Sequence, residues 1–258
     1  MSAAPRFASY PSLRERSVLV TGGGSGIGAE IVASFVGQGA SVAFLDVARD
    51  SSEALVARLG GAAGTAPLFV ECDLTDVAAL RRAVARVEER LGPLQVLVNN
   101  AADDDRHRVE DVTPEYWDRC MAVNLRQQFF AIQAVLPGMR RAGSGSIVNL
   151  GSIAWAIPST GHVGYVTAKA GVMGLTRTLA RELGPEGIRV NSVMPGGILT
   201  ERQLRLWLTP EYKAHILERQ SLKRHLYPDD VARLVLFLAA DDSSAITSQS
   251  YAVDGGFI

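Results

Sequence analysis

The sequence predicts an α/β protein built on a doubly wound sheet of about seven parallel strands, with helices on both faces. Short apolar runs rich in β-branched residues alternate with segments of helical periodicity from residue 17 to the end. Nearly unbroken apolar runs are typical of strands that are covered on both sides. No linker or composition change divides the 258 residues. Residues 1–258 are therefore predicted to form a single domain.

The predicted strands and helices follow one another in regular order. Strands are predicted at 17–22, 41–46, 67–73, 96–101, 146–152, 188–195 and 248–255. Helices are predicted at 28–37, 52–59, 77–91, 114–141, 165–183 and 228–240. Residues 1–12 are interpreted as a loose N-terminal arm and residues 60–64 as a loop. Residues 197–227 interrupt the alternation, and we expect them to form a helical lid over the site.

The composition argues against several classes of partner. The net charge is −1 and no basic patch is present, so nucleic acid is not expected as a ligand. The N-terminus lacks the apolar core of a signal peptide, and no apolar run approaches the ~18 residues of a membrane span. Cys72 and Cys120 show no metal-ligand spacing and fit a reduced, cytoplasmic setting. We expect no metal, nucleic acid or membrane partner.

A glycine-rich segment, TGGGSGIG, joins the first strand to the first helix. Gly22, Gly26 and Gly28 supply bare backbone, with Ser25 and Ile27 between them. Bare backbone allows a tight turn and lets a pyrophosphate approach the helix N-terminus. A glycine cluster by itself could be an ordinary turn. Its position between a strand and a helix favours a Rossmann-type dinucleotide site.

Two carboxylates end neighbouring strands near this loop. Asp46 could accept hydrogen bonds from the adenosine ribose and repel a 2′-phosphate, which favours NAD over NADP. Alternatively, Asp46 is a solvated strand-end carboxylate, and the nearby Arg49 could serve a 2′-phosphate. Asp73 could contact the adenine or simply cap the next helix.

Ser152, Tyr165 and Lys169 carry the strongest chemical signal. In a helix, Tyr165 and Lys169 are four residues apart and share one face. An ammonium beside a phenol is expected to lower the phenol pKa from its usual ~10 toward working pH, which would make a proton acceptor. Taken singly, the tyrosine could be a core aromatic residue and the serine a helix cap.

Together these motifs resemble the short-chain dehydrogenase/reductase family. The resemblance rests on TGGGSGIG, NNA at 99–101, Asn124, Ser152 and YVTAK at 165–169. It extends over nearly the whole chain, and both the serine-to-tyrosine gap and the YxxxK spacing match. Ala102 departs from the glycine that usually ends NNAG, a change that touches no catalytic group.

The resemblance implies a role for each residue of the set. Tyr165 would be the catalytic base, and Lys169 would bind the nicotinamide ribose. Ser152 would bind the reacting oxygen, and Asn124 would hold a water that links Lys169 to solvent. Asn124 could also bond only locally within a helix. The implied NAD site consists of Gly22, Ser25, Gly26, Ile27, Gly28, Asp46, Asp73, Leu74, Asn100, Ala101, Tyr165, Lys169, Pro195, Gly196 and Ile198.

Several loops are similar to those of bacterial sugar 1-dehydrogenases of the D-xylose 1-dehydrogenase type. They include YPSL at 10–13, the 104–107 loop and YWD at 116–118. This likeness implies hydride transfer from the anomeric carbon of a cyclic aldose to NAD, giving an aldonolactone. The aldose would be a pentose such as D-xylose or L-arabinose, or a related hexose.

Membership of the family also implies a homotetramer. An NAD(P)-dependent enzyme of 3-oxoacyl thioesters or other secondary alcohols, and a non-enzymatic nucleotide sensor, are the alternatives.

Position in the chain suggests the residues that bind this substrate. Besides Ser152 and Tyr165, they are Asp103, Asn149, Trp155, Arg202 and Gln203. Asp103 follows the fourth strand, at the sheet edge where ligands bind. Asn149 could reach a ring hydroxyl, and Trp155 could stack on the sugar or merely pack.

The remaining polar residues near these positions are ambiguous in the sequence. Arg202 and Gln203 belong to the predicted lid and could equally lie on the surface of an amphipathic helix. Asp104, Asp105 and His107 are interpreted as part of a solvated turn.

Overall fold

The computed structural model describes residues 7–60 and 66–258. Its strands are β1 (Ser17–Thr21), β2 (Ser41–Asp46), β3 (Leu68–Glu71), β4 (Val96–Asn99), β5 (Gly145–Leu150), β6 (Ile188–Pro195) and β7 (Ser250–Val253). They form one sheet in the order β3-β2-β1-β4-β5-β6-β7, and every pairing is parallel. The predicted doubly wound α/β fold is confirmed.

Along the described ranges the chain forms nine α-helices. They are α1 (Gly26–Gly37), α2 (Arg49–Gly60), α3 (Val77–Leu91), α4 (Pro114–Met121), α5 (Gln127–Ala142), α6 (Val163–Leu183), α7 (Glu201–Leu206), α8 (Pro210–Arg219) and α9 (Pro228–Ala239). Each of these helices is too short or too polar to span a bilayer.

Helices cover both faces of the sheet because successive strand side chains point to opposite sides. On β1, Val18 and Val20 are buried in a cluster that includes α1 and α9. Leu19, between them, is buried on the other face with residues of α3, α5 and α6. Burial on both faces explains why the strands are almost uniformly apolar.

The sheet reverses its winding direction at β1. This strand pairs with β2 on one side and with β4 on the other. The connections that follow β1 and β4 therefore diverge and leave a crevice at the carboxyl ends of the strands. The glycine loop and the residues after β4 both open onto this crevice.

Two predicted helical segments are interrupted in the structure. The predicted helix at 114–141 contains a π-helical turn, Ala122–Arg126, between α4 and α5. The lid at 197–227 consists of two short helices, α7 and α8. A hydrogen bond from the Leu199 amide to the Leu226 carbonyl, 2.9 Å long, closes the base of the lid.

The predicted N-terminal arm is anchored over the part that can be described. Residues 1–6 and most of the predicted loop at 60–64 lie outside the described residues. The Tyr10 amide donates to Gln38 Oε1 at 2.7 Å, and Leu13 is completely buried. The prediction of a loose arm over residues 1–12 is therefore wrong from Tyr10 onward, because Tyr10 packs against the core just before the buried Leu13.

Asn149 is part of a buried polar network and does not reach the crevice. Its Oδ1 accepts from Asn99 Nδ2 at 2.9 Å, and its Nδ2 donates to Thr176 Oγ1 at 3.0 Å. All three side chains are fully buried between the sheet and α6. The prediction that Asn149 binds a sugar hydroxyl does not fit this geometry, because the β5 side chain points under α6 and both ends of its amide are bonded.

Replacing Thr176 by Val should therefore weaken the fold without changing ligand binding. The substitution keeps the shape but leaves Asn149 Nδ2 without its acceptor, which should lower the free energy of unfolding by about 1–3 kcal/mol. Urea denaturation measures this loss. The exposed Thr178 on the same helix provides the control T178V, which should leave stability nearly unchanged. A change in substrate KM in T176V with unchanged stability would contradict the structural role of Asn149.

Asp230 attaches the end of the lid to α9. Its carboxylate accepts two hydrogen bonds from Arg224, each 2.8 Å long, and one from Arg233 at 3.0 Å. It also accepts from the Tyr227 amide at 3.0 Å. The hydrogen bonds from Arg224 are the main reason that the pKa of Asp230 is lowered to about 2.

This lowered pKa makes the stability contribution of Asp230 pH-dependent. The contribution is complete above the unfolded-state pKa of ~3.9 and is lost as the pH falls toward 2. We expect D230N to lower the free energy of unfolding by about 1–2 kcal/mol at pH 7 and by progressively less below pH 4. Denaturation curves across this range test the prediction. Asp118 is exposed, so D118N is the control and should leave stability nearly unchanged at every pH. An equal loss of stability for D230N at every pH would contradict the predicted pH dependence.

Candidate active site

A large cleft of about 1800 Å³ lies at the carboxyl edge of the sheet. The glycine loop forms one end of it, the start of α6 forms the floor of the middle, and the lid covers the other side. Clefts at this edge are where doubly wound proteins bind their ligands.

The glycine loop has a geometry that only glycine allows. Gly22 has φ +67°, and its amide donates to the Leu45 carbonyl at 2.7 Å. A Cβ atom on Gly28 would lie 1.9 Å from the Gly22 carbonyl oxygen. The close approach brings the N-terminus of α1, which begins at Gly26 after Ser25, to the cleft wall. Free amides at a helix N-terminus fit the pyrophosphate of a dinucleotide.

Asn100 and Ala101 support the same loop from β4. The Asn100 side-chain amide donates to the backbone carbonyls of Thr21 and Gly22 at 3.2 and 2.8 Å. The Ala101 backbone packs so closely on Gly22 that a Cβ there would meet it at 2.7 Å. Both residues also line the cleft. Their first effect is to hold the glycine loop against the end of β4.

Asp46 faces the cleft from the end of β2. Its two carboxylate oxygens accept from the Gly24 amide at 2.8 Å and the Ala48 amide at 2.9 Å. Each oxygen keeps a lone pair for a further donor. Arg49 is paired with the carboxylate of Glu71 and lies 3.7 Å from that of Glu53. The charge of Arg49 is therefore already balanced by two neighbouring carboxylates.

Asp73 and Leu74 form the outer wall beyond Asp46. Asp73 Oδ1 accepts from the amide and the hydroxyl of Thr75 at 2.9 and 2.7 Å, within its own turn. The side chain that caps α3 is Asp76. Asp73 is thus not the N-cap of α3, and it lines the cleft together with Leu74.

The end of β6 forms the wall opposite the glycine loop. Pro195, Gly196 and Ile198 line the cleft there. The Gly196 amide donates to the Val253 carbonyl at 3.0 Å, and a Cβ on Gly196 would lie 2.8 Å from the Cβ of Asp254. Glycine is required because the chain passes so close to the end of β7.

Ser152, Tyr165 and Lys169 meet in the middle of the cleft. Lys169 is 1% exposed, and its Nζ donates to the Leu150 carbonyl at 2.7 Å. The same nitrogen lies 5.5 Å from the centre of the Tyr165 ring. The Ser152 hydroxyl accepts from the Ala154 amide at 3.1 Å. The loop after β5 and the helix α6 thus bring together the three residues that the sequence spacing indicated.

The pKa of the Tyr165 phenol is raised to about 12, the opposite of the direction expected from the sequence. Burial is the main cause, whereas a hydrogen bond with Ser152 and the guanidinium groups of Arg106 and Arg202 act in the lowering direction. Burial also lowers the pKa of Lys169 to about 8. The i, i+4 spacing places the ammonium beside the phenol but does not indicate how deeply the two groups are buried. Desolvation therefore reverses the direction predicted for the Tyr165 pKa.

Asn124 holds a neighbouring loop in position. Its Oδ1 accepts from the Asp103 amide at 2.9 Å, and its Nδ2 donates to the carbonyls of Asp103 and Cys120 at 3.0 Å each. The side chain is fully buried within the π-helical turn and does not line the cleft. These bonds make Asn124 a positioning residue for the loop after β4.

The lid contacts the loop after β4 through an ionic network. Arg202 Nη2 donates to Asp103 Oδ1 at 2.6 Å, and Arg202 Nη1 is paired with Asp104. Gln203 Nε2 donates to the other oxygen of Asp104 at 2.7 Å. The Asp104 side chain is 15% exposed, compared with 54% for Asp103. Asp104, which was predicted to be part of a solvated turn, is therefore the better-buried acceptor.

Trp155 lies outside the cleft in the structure. Its side chain is 41% exposed, and its Nε1 lies 3.3 Å from the Met194 sulfur. The prediction that Trp155 stacks on a sugar does not fit this position. The short 3₁₀ turn after Ser152 carries the ring away from the cleft wall.

Among the cleft residues that were not predicted are Arg106, which follows the acidic loop, and His162, which lies three residues before Tyr165. The sequence signal for His162 was its nearness to Tyr165 along the chain, since it directly precedes α6. Within residues 7–60 and 66–258, no group of three His, Cys, Asp or Glu side chains could hold a metal ion.

The chain is similar to known dehydrogenases and reductases over nearly its whole length. A family model described as enoyl-(acyl carrier protein) reductase matches residues 22–258. The chain is 53% identical over 249 residues to the probable galactose dehydrogenase GalD of Rhizobium meliloti, covering 96% of this chain and 97% of that one. It is 49% identical over 250 residues to the D-xylose 1-dehydrogenase of Caulobacter vibrioides, covering 97% and 98%.

Solved structures agree with this relationship. A short-chain type dehydrogenase/reductase from Mycobacterium ulcerans has a TM-score of 0.90 at 32% identity, covering 97% of this chain and 91% of that one. A 3-oxoacyl-[acyl-carrier protein] reductase from Brucella melitensis also has a TM-score of 0.90 at 32% identity, covering 100% and 98%. With its glycine loop and its Ser152, Tyr165 and Lys169 set, the chain belongs to the short-chain dehydrogenase/reductase family of oxidoreductases.

Proposed function

We propose that the chain is an NAD-dependent aldose 1-dehydrogenase. It oxidises the anomeric carbon of a cyclic aldose to an aldonolactone, with a pentose such as D-xylose or L-arabinose, or a related hexose, as substrate. The observation that carries this proposal is the meeting of Ser152, Tyr165 and Lys169 in a cleft shared with a dinucleotide-type loop. The near-full-length likeness to a galactose dehydrogenase and a D-xylose 1-dehydrogenase supports an aldose as the substrate.

The catalytic residues divide the proton chemistry among them. Tyr165 accepts the proton of the anomeric hydroxyl, while Ser152 donates a hydrogen bond to the same oxygen and stabilises its developing charge. Because the Tyr165 pKa is raised to about 12, the phenolate needs positive charge nearby. Lys169 supplies it from within the fold, held by the Leu150 carbonyl. An oxidised nicotinamide, held by the glycine loop and Asp46, would supply the hydride acceptor and a further positive charge.

The cofactor is a nicotinamide dinucleotide, and the choice of NAD rests on Asp46. The Asp46 carboxylate accepts from the adenosine ribose hydroxyls and repels a 2′-phosphate. Its fixed position on the Gly24 and Ala48 amides supports this role. Arg49 is engaged by Glu71 and Glu53, which argues against its serving a 2′-phosphate.

A second candidate is the oxidation or reduction of another secondary alcohol or of a 3-oxoacyl thioester. The likeness to the Brucella 3-oxoacyl reductase favours it. The charged lining formed by Asp103, Asp104 and Arg202 argues against it, because an acyl chain requires apolar walls. A purely nucleotide-sensing protein would have no use for the Ser152, Tyr165 and Lys169 set.

We also propose that the chain forms a homotetramer, as its family likeness implies, and that it is cytoplasmic, as its two cysteines without metal-ligand spacing suggest. Members of the family pair the helix that corresponds to α6. Met173 and Leu175 on α6 are partly exposed and would be covered in such an assembly.

A panel of aldoses tested with NAD and NADP checks the proposed reaction. We expect absorbance at the reduced-nicotinamide band to rise with NAD and at least one pentose or hexose. Y165F should lower kcat by about 10²–10⁴-fold, because the base is lost, while NAD binding is largely retained through the glycine loop and Asp46. Tyr251 on β7 does not line the cleft, so Y251F serves as the matched control. Faster turnover of acyl thioesters with NADPH than of any aldose with NAD would overturn the proposal.

The variant D46N tests the assigned cofactor preference. It keeps the shape of Asp46 but removes the charge that repels a 2′-phosphate, so kcat/KM for NADP should rise relative to NAD by about 10-fold or more. Steady-state kinetics with both cofactors give this ratio. Asp50 is exposed on α2 and does not line the cleft, so D50N should leave the ratio unchanged. An unchanged ratio in D46N would remove Asp46 from cofactor selection.

A further inference from the structure

One corner of the cleft carries polar groups that the proposed reaction leaves without a role. The loop after β4 packs there on the segment before α6, with the His107 amide donating to the Gly161 carbonyl at 2.7 Å. This contact brings Arg106 and His162 to the same part of the cleft wall. The two side chains are close enough that the charge of Arg106 affects the His162 pKa.

Arg106 packs its guanidinium against an aromatic ring. Its guanidinium carbon lies 5.2 Å from the centre of the Trp207 ring, in a cation–π contact. Its Nε is buried and has no hydrogen-bond partner in the part of the chain that the structure describes. Arg202, by contrast, is bonded to Asp103 and Asp104. Arg106 also lines the cleft, so the outer nitrogens of its guanidinium are placed to donate to an acceptor supplied by a ligand.

His162 presents an acceptor beside it. The residue is 6% exposed, and its Nδ1 lies 2.7 Å from the Thr160 carbonyl oxygen. A carbonyl only accepts, so Nδ1 must carry the proton and Nε2 keeps its lone pair. Within the described ranges, no group donates to Nε2. Burial, together with the charge of Arg106, lowers the His162 pKa, which favours the neutral ring.

The corner lies next to the reacting centre. The His162 ring centre is 5.8 Å from that of Tyr165, and His162 directly precedes α6, which carries Tyr165. A hydroxyl group donates one hydrogen bond and accepts others, so a single hydroxyl can satisfy both unpartnered groups. An anionic substituent would suit this corner less well, because Asp104 and Asp105 belong to the same loop.

We propose that Arg106 and His162 jointly bind the substrate hydroxyl on the carbon next to the one that is oxidised. The hydroxyl donates to His162 Nε2 and accepts from the Arg106 guanidinium. The two residues thereby select sugars that carry this hydroxyl. This assignment rests on the proposed aldose dehydrogenase function and adds the part of the sugar that the site recognises.

The test compares the best aldose of the panel with its 2-deoxy analogue. In the wild-type enzyme, kcat/KM should be about 100-fold or more higher for the parent sugar, because the analogue leaves both groups unpaired. In R106M and H162L, kcat/KM for the parent should fall about 10–100-fold, while the analogue changes little. The ratio between the two sugars should therefore approach one. H162Q retains an acceptor and should recover part of the ratio.

Control variants and outcomes separate this assignment from general damage. Arg108 lies two residues further along and is paired with Glu110 at the surface, so R108M should keep the wild-type ratio. The Kd for NAD should stay unchanged in every variant. A wild-type ratio in R106M and H162L, or equal losses for both sugars, would overturn the assignment while leaving the aldose activity established. Absence of turnover with every aldose would instead refute the proposed function and the assignment with it.

Discussion

The site depends on one buried contact, the hydrogen bond from Lys169 to the Leu150 carbonyl. Burying an ammonium is costly, and the fold compensates with this bond and the adjacent Tyr165 ring. The contact attaches the first turns of α6 to the end of β5. Tyr165 on α6 and Ser152 just after β5 then face each other in the cleft. The same burial raises the pKa of the Tyr165 phenol and lowers the pKa of the Lys169 ammonium.

Asparagine side chains organise the backbone around this contact. Asn99 and Asn149 join β4 to β5 beneath α6, Asn100 supports the glycine loop, and Asn124 holds the loop after β4. Amides suit these positions because they donate and accept without the cost of burying a charge. The charged side chains Asp103, Asp104 and Arg202 are instead found on loops and the lid, where solvent reaches them.

Much of the architecture was predictable because it depends on local patterns. Unbroken apolar runs indicated the seven strands, and the glycine spacing indicated a loop whose close approach at Gly28 leaves no room for a Cβ. Asn149 and Trp155 were misassigned for the opposite reason. Distance along the chain from Ser152 does not tell which side of a strand faces a helix, or where a 3₁₀ turn directs a ring. The role of Asp104 was missed because its partners are in the lid, nearly a hundred residues away.

The sequence by itself determined the fold class, the dinucleotide loop and the Ser152, Tyr165 and Lys169 set, since each depends on residue types at short and regular spacing. The tertiary structure decided which polar side chains face the cleft and in which direction their pKa values shift. It buried Asn149, turned Trp155 outward, and brought Arg106 to His162 through the packing of two distant loops. Burial and long-range contact set these outcomes, and neither is encoded in the spacing of residues along the chain.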